Sequence, residues 1–304
     1  MERESELLEV PYFHIVFTLP HELNPLARKY PKQFYNAFFR ASWQSINTFA
    51  KDPKYIGAKT GMTSVLHSWG QQLSLHPHLH CIVPGGGINP QGKWVFPRKY
   101  KNKSWRNIKY LFPKKALSKV FRAKFMSELR KELKIGQPIA KAVMSKNWVV
   151  YAKRPFLGPK QVIEYLGRYT HKIAISNHRL ADIDNGKVTF KYKDYKTEEY
   201  SKTMSLEATE FIRRFCLHIL PSGFMKMRHY GILSSRNKAI DLNKAKDFFG
   251  LERWQKQKVK WETIAEQKLK INPFQCKKCG KVSLEIVQVI NAGRAPPISI
   301  FKYK

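Results

Sequence analysis

Residues 76–84 read His-Pro-His-Leu-His-Cys-Ile-Val-Pro, and this stretch decides the architecture that the rest of the chain completes. Three glycines follow at 85–87, which is typical of a strand that ends in a turn. Side chains alternate between the two faces of a strand, so His78 and His80 share one face. Alternate positions from 79 to 83 are apolar and share the other face. The pattern therefore predicts a strand that packs on a helix layer and presents two imidazoles on its opposite side.

The two imidazoles have two possible roles. Adjacent histidines on one face lie within reach of one divalent ion, and such pairs occur in zinc and non-haem iron sites. Many His-x-His pairs, however, are only hydrogen-bonded or exposed histidines on a strand. His76 is in phase with them, but Pro77 marks the start of the strand. A second motif has to decide between the two interpretations.

The second motif is Tyr165-Leu-Gly-Arg-Tyr169. A helix is expected from about 160 to 170, and on a helix the positions i and i+4 lie on one face, so the two phenols project together. Aligned tyrosines are often core or interface aromatics. A tyrosine that attacks a DNA phosphate, however, forms a phosphotyrosine that conserves the energy of the phosphodiester bond. The phenol has a pKa of about 10, so a metal at the histidines, with Arg168 or Lys172 near the phosphate, would assist the attack.

The remaining pattern predicts an α+β chain with alternating strands and amphipathic helices. We expect helices at 32–51 and 114–133, strands at 10–18, 62–69, 77–84, 147–152, 173–175, 187–193 and 200–204, and a hairpin at 88–96.

The composition indicates a nucleic-acid partner. The formal net charge is +34, from 56 basic and 22 acidic side chains, which favours a polyanion. No run of eighteen apolar residues is present, so we expect no membrane span. The first residues do not resemble a signal peptide, and the four cysteines are too few for a disulfide scaffold. Together these features favour a cytoplasmic protein that binds nucleic acid. Aromatic residues among the basic ones could stack unpaired bases, which favours single-stranded DNA.

The character of the chain changes near Ser205. We therefore expect two regions, a core at 1–204 and a basic DNA-binding region at 205–304. The second region contains Cys276-Lys-Lys-Cys279, which supplies half of a tetrahedral zinc site.

In this order the motifs resemble the two-tyrosine HUH transposases of bacterial insertion sequences, of the insertion-sequence-91 type. The resemblance covers nearly the whole chain. It rests on SWGQ at 68–71, LHPHLHCIVPGGG at 75–87, YLGRYTHKIAISNHRL at 165–180, LPSGFMKMRHYGIL at 220–233 and the late CxxCG.

The resemblance implies an HUH-endonuclease-like fold, with a central antiparallel sheet flanked by helices and followed by a basic C-terminal extension. It implies that His78 and His80 bind Mg²⁺ or Mn²⁺ and that Tyr165 and Tyr169 are the nucleophiles of rolling-circle transposition. Gln71 is the expected third ligand, and the alternatives are Gln72, His76 and Glu164.

One difference from the family concerns the N-terminus. Members carry a cysteine-rich zinc region before the first strand, and this chain begins almost at that strand. Three interpretations stay open: an active strand transferase, a catalytically silent DNA-binding relic, and a replication initiator or relaxase with the same site. No GxxxxGK[ST] loop is present, although initiators and relaxases often carry a helicase domain with such a loop.

Overall fold

The structure is a computed structural model that describes residues 5–98, 110–153, 155–156, 161–162, 164, 167, 174–194, 202–255, 261–276, 278–282, 284–290 and 298–303. The chain forms two compact units, Arg3–Trp254 and Gln255–Lys304. No helix within the described ranges has the length and apolar character that a bilayer span requires.

Twelve strands and seven α-helices are present in the described part of the chain. The strands are β1 (Tyr12–Thr18), β2 (Gly61–Trp69), β3 (Leu75–Pro84), β4 (Gly87–Ile88), β5 (Trp94–Val95), β6 (Val150–Ala152), β7 (Leu180–Asp184), β8 (Lys187–Tyr192), β9 (Lys202–Glu207), β10 (Met227–Gly231), β11 (Leu284–Ile290) and β12 (Ile298–Tyr303). The α-helices are α1 (Asn24–Lys29), α2 (Pro31–Lys51), α3 (Lys114–Glu132), α4 (Gln137–Met144), α5 (Ala208–Cys216), α6 (Asn243–Phe248) and α7 (Trp261–Ile264). Short 3₁₀ helices cover His21–Leu23 and Asn177–Arg179, and π-helical turns cover Lys238–Leu242 and Ala265–Leu269.

Five strands form the central sheet in the order β10-β2-β3-β1-β6, and every neighbouring pair is antiparallel. Strand β3, which carries the histidine pair, is the middle strand. The predicted α+β class, with a central antiparallel sheet flanked by helices, is therefore confirmed.

Helices α2 and α3 pack on one face of this sheet and on each other. The face carries apolar residues of β1, β2 and β3, and Leu79 of β3 and Phe17 of β1 are fully buried there. The Phe17 ring lies 4.6 Å from the ring of Phe121 on α3, measured between centroids. The period-2 pattern of β3 thus buries its apolar side against the helices and leaves its histidine side facing away from them.

Strand β10 completes the sheet from beyond Ser205. It pairs with β2, with Met227 opposite Val65 and Gly231 opposite Gly61. The change of sequence character near Ser205 therefore falls inside the first compact unit, which extends along the sequence to Trp254. The idea that residues 205–304 form the DNA-binding region stays a prediction.

Other expected elements are largely present. Strands β4 and β5 form the hairpin expected at 88–96, and β7, β8 and β9 form a separate three-stranded sheet. Residues 174 and 175 form a bend rather than the expected strand. Most of the helix expected at 160–170 lies outside the described residues.

Candidate metal centre

Three histidines converge on the face of the central sheet that is turned away from the helices. His78 and His80 come from β3, and His67 lies directly opposite His78 on β2. One ring nitrogen from each of the three lies within 4.8 Å of the others. His67 and His80 are buried, whereas His78 is half-buried. Strand register therefore builds a three-imidazole cluster that is open on the side of His78.

The Nδ1 atom of His78 lies 2.7 Å from the backbone carbonyl oxygen of His76. A carbonyl oxygen can only accept, so Nδ1 carries the hydrogen and donates it. The Nε2 atom of His78 is then the nitrogen with the lone pair. His78 is thus held in the tautomer that binds a metal through Nε2.

His80 is hydrogen-bonded in a similar way. Its Nδ1 lies 3.0 Å from Nε2 of His14 on β1, and the two ring planes differ by 13°. His14 is 2% exposed, so this hydrogen bond is shielded from water. This hydrogen bond uses the Nδ1 atom of His80, so the Nε2 atom is the other ring nitrogen of this side chain.

Two imidazoles of this region, those of His78 and His14, favour their neutral form. Burial lowers the pKa of His78 to about 4. Burial also lowers the pKa of His14 to about 3, and the positive charge of Lys153 acts in the same direction. Neutral imidazole is the form that coordinates metals, so the lowered pKa of His78 keeps this side chain in its metal-binding form at neutral pH.

The aromatic ring of Trp69 borders the histidine cluster. The Trp69 ring stacks on His67 with 4.7 Å between centroids and 17° between planes. The Lys226 ammonium lies 5.7 Å from the centroid of the Trp69 ring, and burial lowers the pKa of Lys226. Trp69 and Lys226 also line a cavity of about 160 Å³ whose remaining lining, with Phe215 and Leu220, is largely apolar.

A family model described as "Putative transposase" matches residues 61–239. The match includes both strands of the histidine cluster and the tyrosine pair at 165 and 169. The chain belongs to this family of transposases. Membership places it in DNA transposition and recombination.

Curated relatives support the same family. The transposase is 36% identical over 326 aligned positions to "Putative transposase y4qJ" of Sinorhizobium fredii (strain NBRC 101917 / NGR234). The alignment covers 97% of this chain and 78% of the relative. The chain is 29% identical over 301 positions to the transposase for insertion sequence element IS801 of Pseudomonas savastanoi pv. phaseolicola, with 91% and 68% covered. The predicted insertion-sequence-91 type is thereby confirmed.

Solved structures of the conjugative relaxase TrwC are distant matches. One, complexed with a 27-mer DNA comprising the recognition hairpin and the cleavage site, is 11% identical with a TM-score of 0.27 and covers 79% of this chain and 74% of that chain. A copper-bound structure with OriT DNA is 12% identical with a TM-score of 0.30 and covers 79% and 71%. Similarity at this level does not extend the function of the relaxase to this transposase.

The structure brings together only some of the expected site residues. His78 and His80 lie on one face of β3 and belong to the cluster, and their role as metal ligands stays a prediction. The third imidazole is His67, which sequence reasoning missed. The side-chain oxygen of Gln71 instead accepts a hydrogen bond from the backbone N–H of Lys193 at 3.4 Å. Gln71 as a ligand stays an untested prediction.

The other expected residues are less well defined. Tyr165, Arg168, Tyr169 and Lys172 lie outside the described residues, so their distances from the cluster stay predictions. Of the alternative ligands, Gln72, His76 and Glu164 are exposed, and the three-histidine group contains none of them.

The Cys276/Cys279 pair lies in a tight turn of the second unit. The backbone N–H of Cys276 donates to the carbonyl of Lys281, and that of Gly280 donates to the carbonyl of Cys276. Gly280 has φ +72°, a conformation that glycine adopts without strain. Cys276 is buried and Cys279 is exposed. The turn carries two cysteines, which is half of a tetrahedral zinc site, so zinc binding here stays a prediction.

Proposed function

We propose that this transposase cuts and rejoins single-stranded DNA through 5′-phosphotyrosine intermediates, with Tyr165 and Tyr169 as nucleophiles and a divalent cation bound by His67, His78 and His80. The three-imidazole cluster on the matched family segment carries this proposal. A silent relic would not need to keep three ligand nitrogens converged on one face, two of them on side chains whose Nδ1 atoms are hydrogen-bonded.

The reaction is a transesterification. The phenol oxygen of one tyrosine attacks the scissile phosphorus, its proton passes to solvent or a nearby base, and the O3′–P bond breaks. The leaving O3′ takes up a proton and becomes a 3′-hydroxyl, while the phosphate stays on the tyrosine. Attack by a 3′-hydroxyl reverses the step without a nucleotide cofactor, and two tyrosines allow two DNA ends to be held in turn.

A bound cation would polarise the scissile phosphate and stabilise charge on the leaving oxygen. The donor set favours one kind of cation. Mg²⁺ prefers oxygen ligands in octahedral geometry, whereas imidazole suits first-row transition metals. Among the residues that the structure describes, the group holds three imidazoles and no carboxylate, which favours Mn²⁺ over Mg²⁺ among the two cations expected from the sequence.

DNA recognition would combine charge with stacking. The net charge of +34 suits phosphate binding, for which Arg168, Lys172 and the basic residues of 205–304 are candidates. Trp69 beside the cluster offers an aromatic surface for an unpaired base. Affinity should fall about 10³–10⁵-fold between about 50 and 200 mM salt if 6–10 phosphates are contacted.

The deciding experiment is a covalent-adduct assay on single-stranded oligonucleotides from transposon ends, with Mn²⁺, with Mg²⁺ and with chelator. Wild type should form an adduct to the 5′ phosphate that chelator abolishes. Tyr165→Phe and Tyr169→Phe should each retain some cleavage, whereas the double variant should form no adduct. A folded wild type with no adduct across metals and ends would favour the silent relic.

Tyr151 provides a matched control. It pairs with Val16, which pairs with His80, so it lies on the same face of the sheet as the cluster, and it is 50% exposed. Tyr151→Phe should form the adduct at the wild-type level. Loss of the adduct in this variant, or full adduct in the double variant, would refute the assignment of the nucleophiles.

A further inference from the structure

We propose that His14 is a positioning residue that holds His80 in the tautomer and ring orientation required for metal binding. The inference rests on the metal centre of the proposed function, but it concerns metal affinity alone and does not depend on which tyrosine reacts.

The geometry of the contact is specific. His14 on β1 lies opposite Ile82, and Val16 lies opposite His80, so His14 and His80 are diagonal neighbours on one face of the sheet. Their nitrogens are 3.0 Å apart, the ring centroids 5.2 Å apart and the planes 13° apart. Nearly coplanar rings joined through nitrogens form an in-plane hydrogen bond, which fixes both the position and the rotation of the His80 ring.

Proton placement follows from the requirement of the metal. If Nε2 of His80 is to donate its lone pair, Nδ1 must carry the hydrogen, so Nε2 of His14 must accept it. The backbone carbonyl of His76 accepts the corresponding hydrogen of His78. Both imidazoles of the His-x-His pair are therefore oriented by an acceptor at Nδ1, one from the backbone and one from a side chain.

His14 does not act as a ligand in this arrangement. Its Nε2 is used in the hydrogen bond to His80, and the three-histidine group consists of His67, His78 and His80. Its place is set by the sheet: the backbone N–H of Lys153 donates to the carbonyl of His14, and the Phe156 ring lies 6.4 Å away at 30°. Strand β1 thus supplies a fixed partner to a ligand on β3. Partners of this kind are typically worth 10–100-fold in metal affinity.

Two amide variants of the full chain test the role of the acceptor. In His14→Gln, the side-chain oxygen can reach the position of Nε2 and accept from His80. In His14→Asn, the oxygen falls near the position of Nδ1 and is too short to reach. The Mn²⁺ affinity of the metal-free protein, measured by titration calorimetry without DNA, should fall about 10–100-fold in His14→Asn and recover to within a few-fold of wild type in His14→Gln.

The tautomer provides a second measurement. Long-range ¹⁵N–¹H spectra of the metal-free protein should show the His80 hydrogen on Nδ1 in wild type and His14→Gln, and a mixture of tautomers in His14→Asn. His229→Gln is a matched control, because His229 lies on the same sheet face but bonds to Thr63, and it should leave Mn²⁺ affinity unchanged.

Equal affinities for wild type, His14→Gln and His14→Asn would overturn the positioning role. Equal losses in both variants, with thermal stability retained, would also overturn it, because the acceptor would then be irrelevant. A wild type that binds no divalent cation would refute the metal centre as well. Normal Mn²⁺ binding with no DNA adduct would refute only the proposed function and leave the His14 result standing.

Discussion

The two faces of strand β3 carry different kinds of side chain, although successive residues of the strand belong to alternate faces. Leu79, Cys81 and Val83 are fully buried against the helix layer. His78 and His80, between and beside them, meet His67 and His14 on the opposite face. The helix face contributes apolar burial, which stabilises the fold, and the histidine face contributes ligand nitrogens. In β3, residues that stabilise the fold therefore alternate with residues that belong to the candidate metal centre.

This separation requires a rigid strand. Strand β3 is hydrogen-bonded to β2 on one side and β1 on the other, so it has no free edge. A slip of one residue would turn the histidines into the core and the apolar residues out of it. The burial on the helix face thus also fixes the register that places His67 opposite His78.

The largest expected effect comes from His78→Ala on the histidine face. Loss of one of three ligands should reduce adduct formation on the order of 10³-fold, because several kcal/mol of charge stabilisation at the phosphate are lost. Thermal stability and DNA binding should change little, since the proposed phosphate contacts would come from many Lys and Arg residues. Adduct assays, thermal melts and fluorescence anisotropy with labelled oligonucleotides check the three parts. Wild-type adduct yield from this variant would remove His78 from the metal centre.

Leu79→Ala, one residue further on, should have the opposite profile. Truncation of a fully buried leucine between sheet and helices should lower the free energy of unfolding by about 2–5 kcal/mol. At a temperature where the variant remains folded, adduct yield should stay near wild type. Urea unfolding and the adduct assay test this, with Lys119→Ala on the exposed side of α3 as a control that should change stability by less than about 0.5 kcal/mol. If Leu79→Ala lost activity while folded, the two faces would not be independent.

The features predicted from sequence were those set by local periodicity. The alternation in β3 and the apolar stripes of α2 and α3 are properties of a few consecutive residues, so the strand, both helices and the orientation of His78 and His80 were predicted. The hairpin β4–β5 followed from the turn residues around Asn89 and Gly92. Each of these signals is complete within one segment.

The missed features depend on pairing between distant segments. Strand β10 has the sequence Met-Arg-His-Tyr-Gly, whose polar residues give no apolar alternation, and only β2 makes it a strand. His67 is the only histidine of its strand, and it becomes a ligand through its register with His78. The irregularity between His67 and Trp69 shows that this register cannot be obtained by counting along the chain. The sequence did contain one indication of this ligand: His67 is a histidine in the strand that precedes the His-x-His strand.

The smallest predicted effect concerns a charged group on the helix side. Glu128 of α3 is almost fully buried and accepts hydrogen bonds from Arg40 and Gln44 of α2 and from Lys131. Burial alone would raise the pKa of Glu128, but these hydrogen bonds outweigh it and lower the pKa to about 2. The contact between α2 and α3 therefore includes ionised carboxylates, Glu128 and the more exposed Glu132, as well as apolar contacts.

Glu128→Gln keeps the shape of the side chain but loses the charge that Arg40 and Lys131 bind, so we expect a loss of about 1–3 kcal/mol at pH 7. Because the folded pKa lies below the unfolded value, the contribution of the carboxylate is fully present above about pH 4.5 and is lost as the pH falls toward 2. The gap in unfolding free energy between wild type and variant should therefore be largest at pH 7 and clearly smaller at pH 3, as measured by urea unfolding. Adduct yield of Glu128→Gln at pH 7 should match that of wild type, since Glu128 and its partners lie on the helix side of the sheet. A gap that did not change with pH would mean that packing, and not the ionised carboxylate, is what Glu128 contributes.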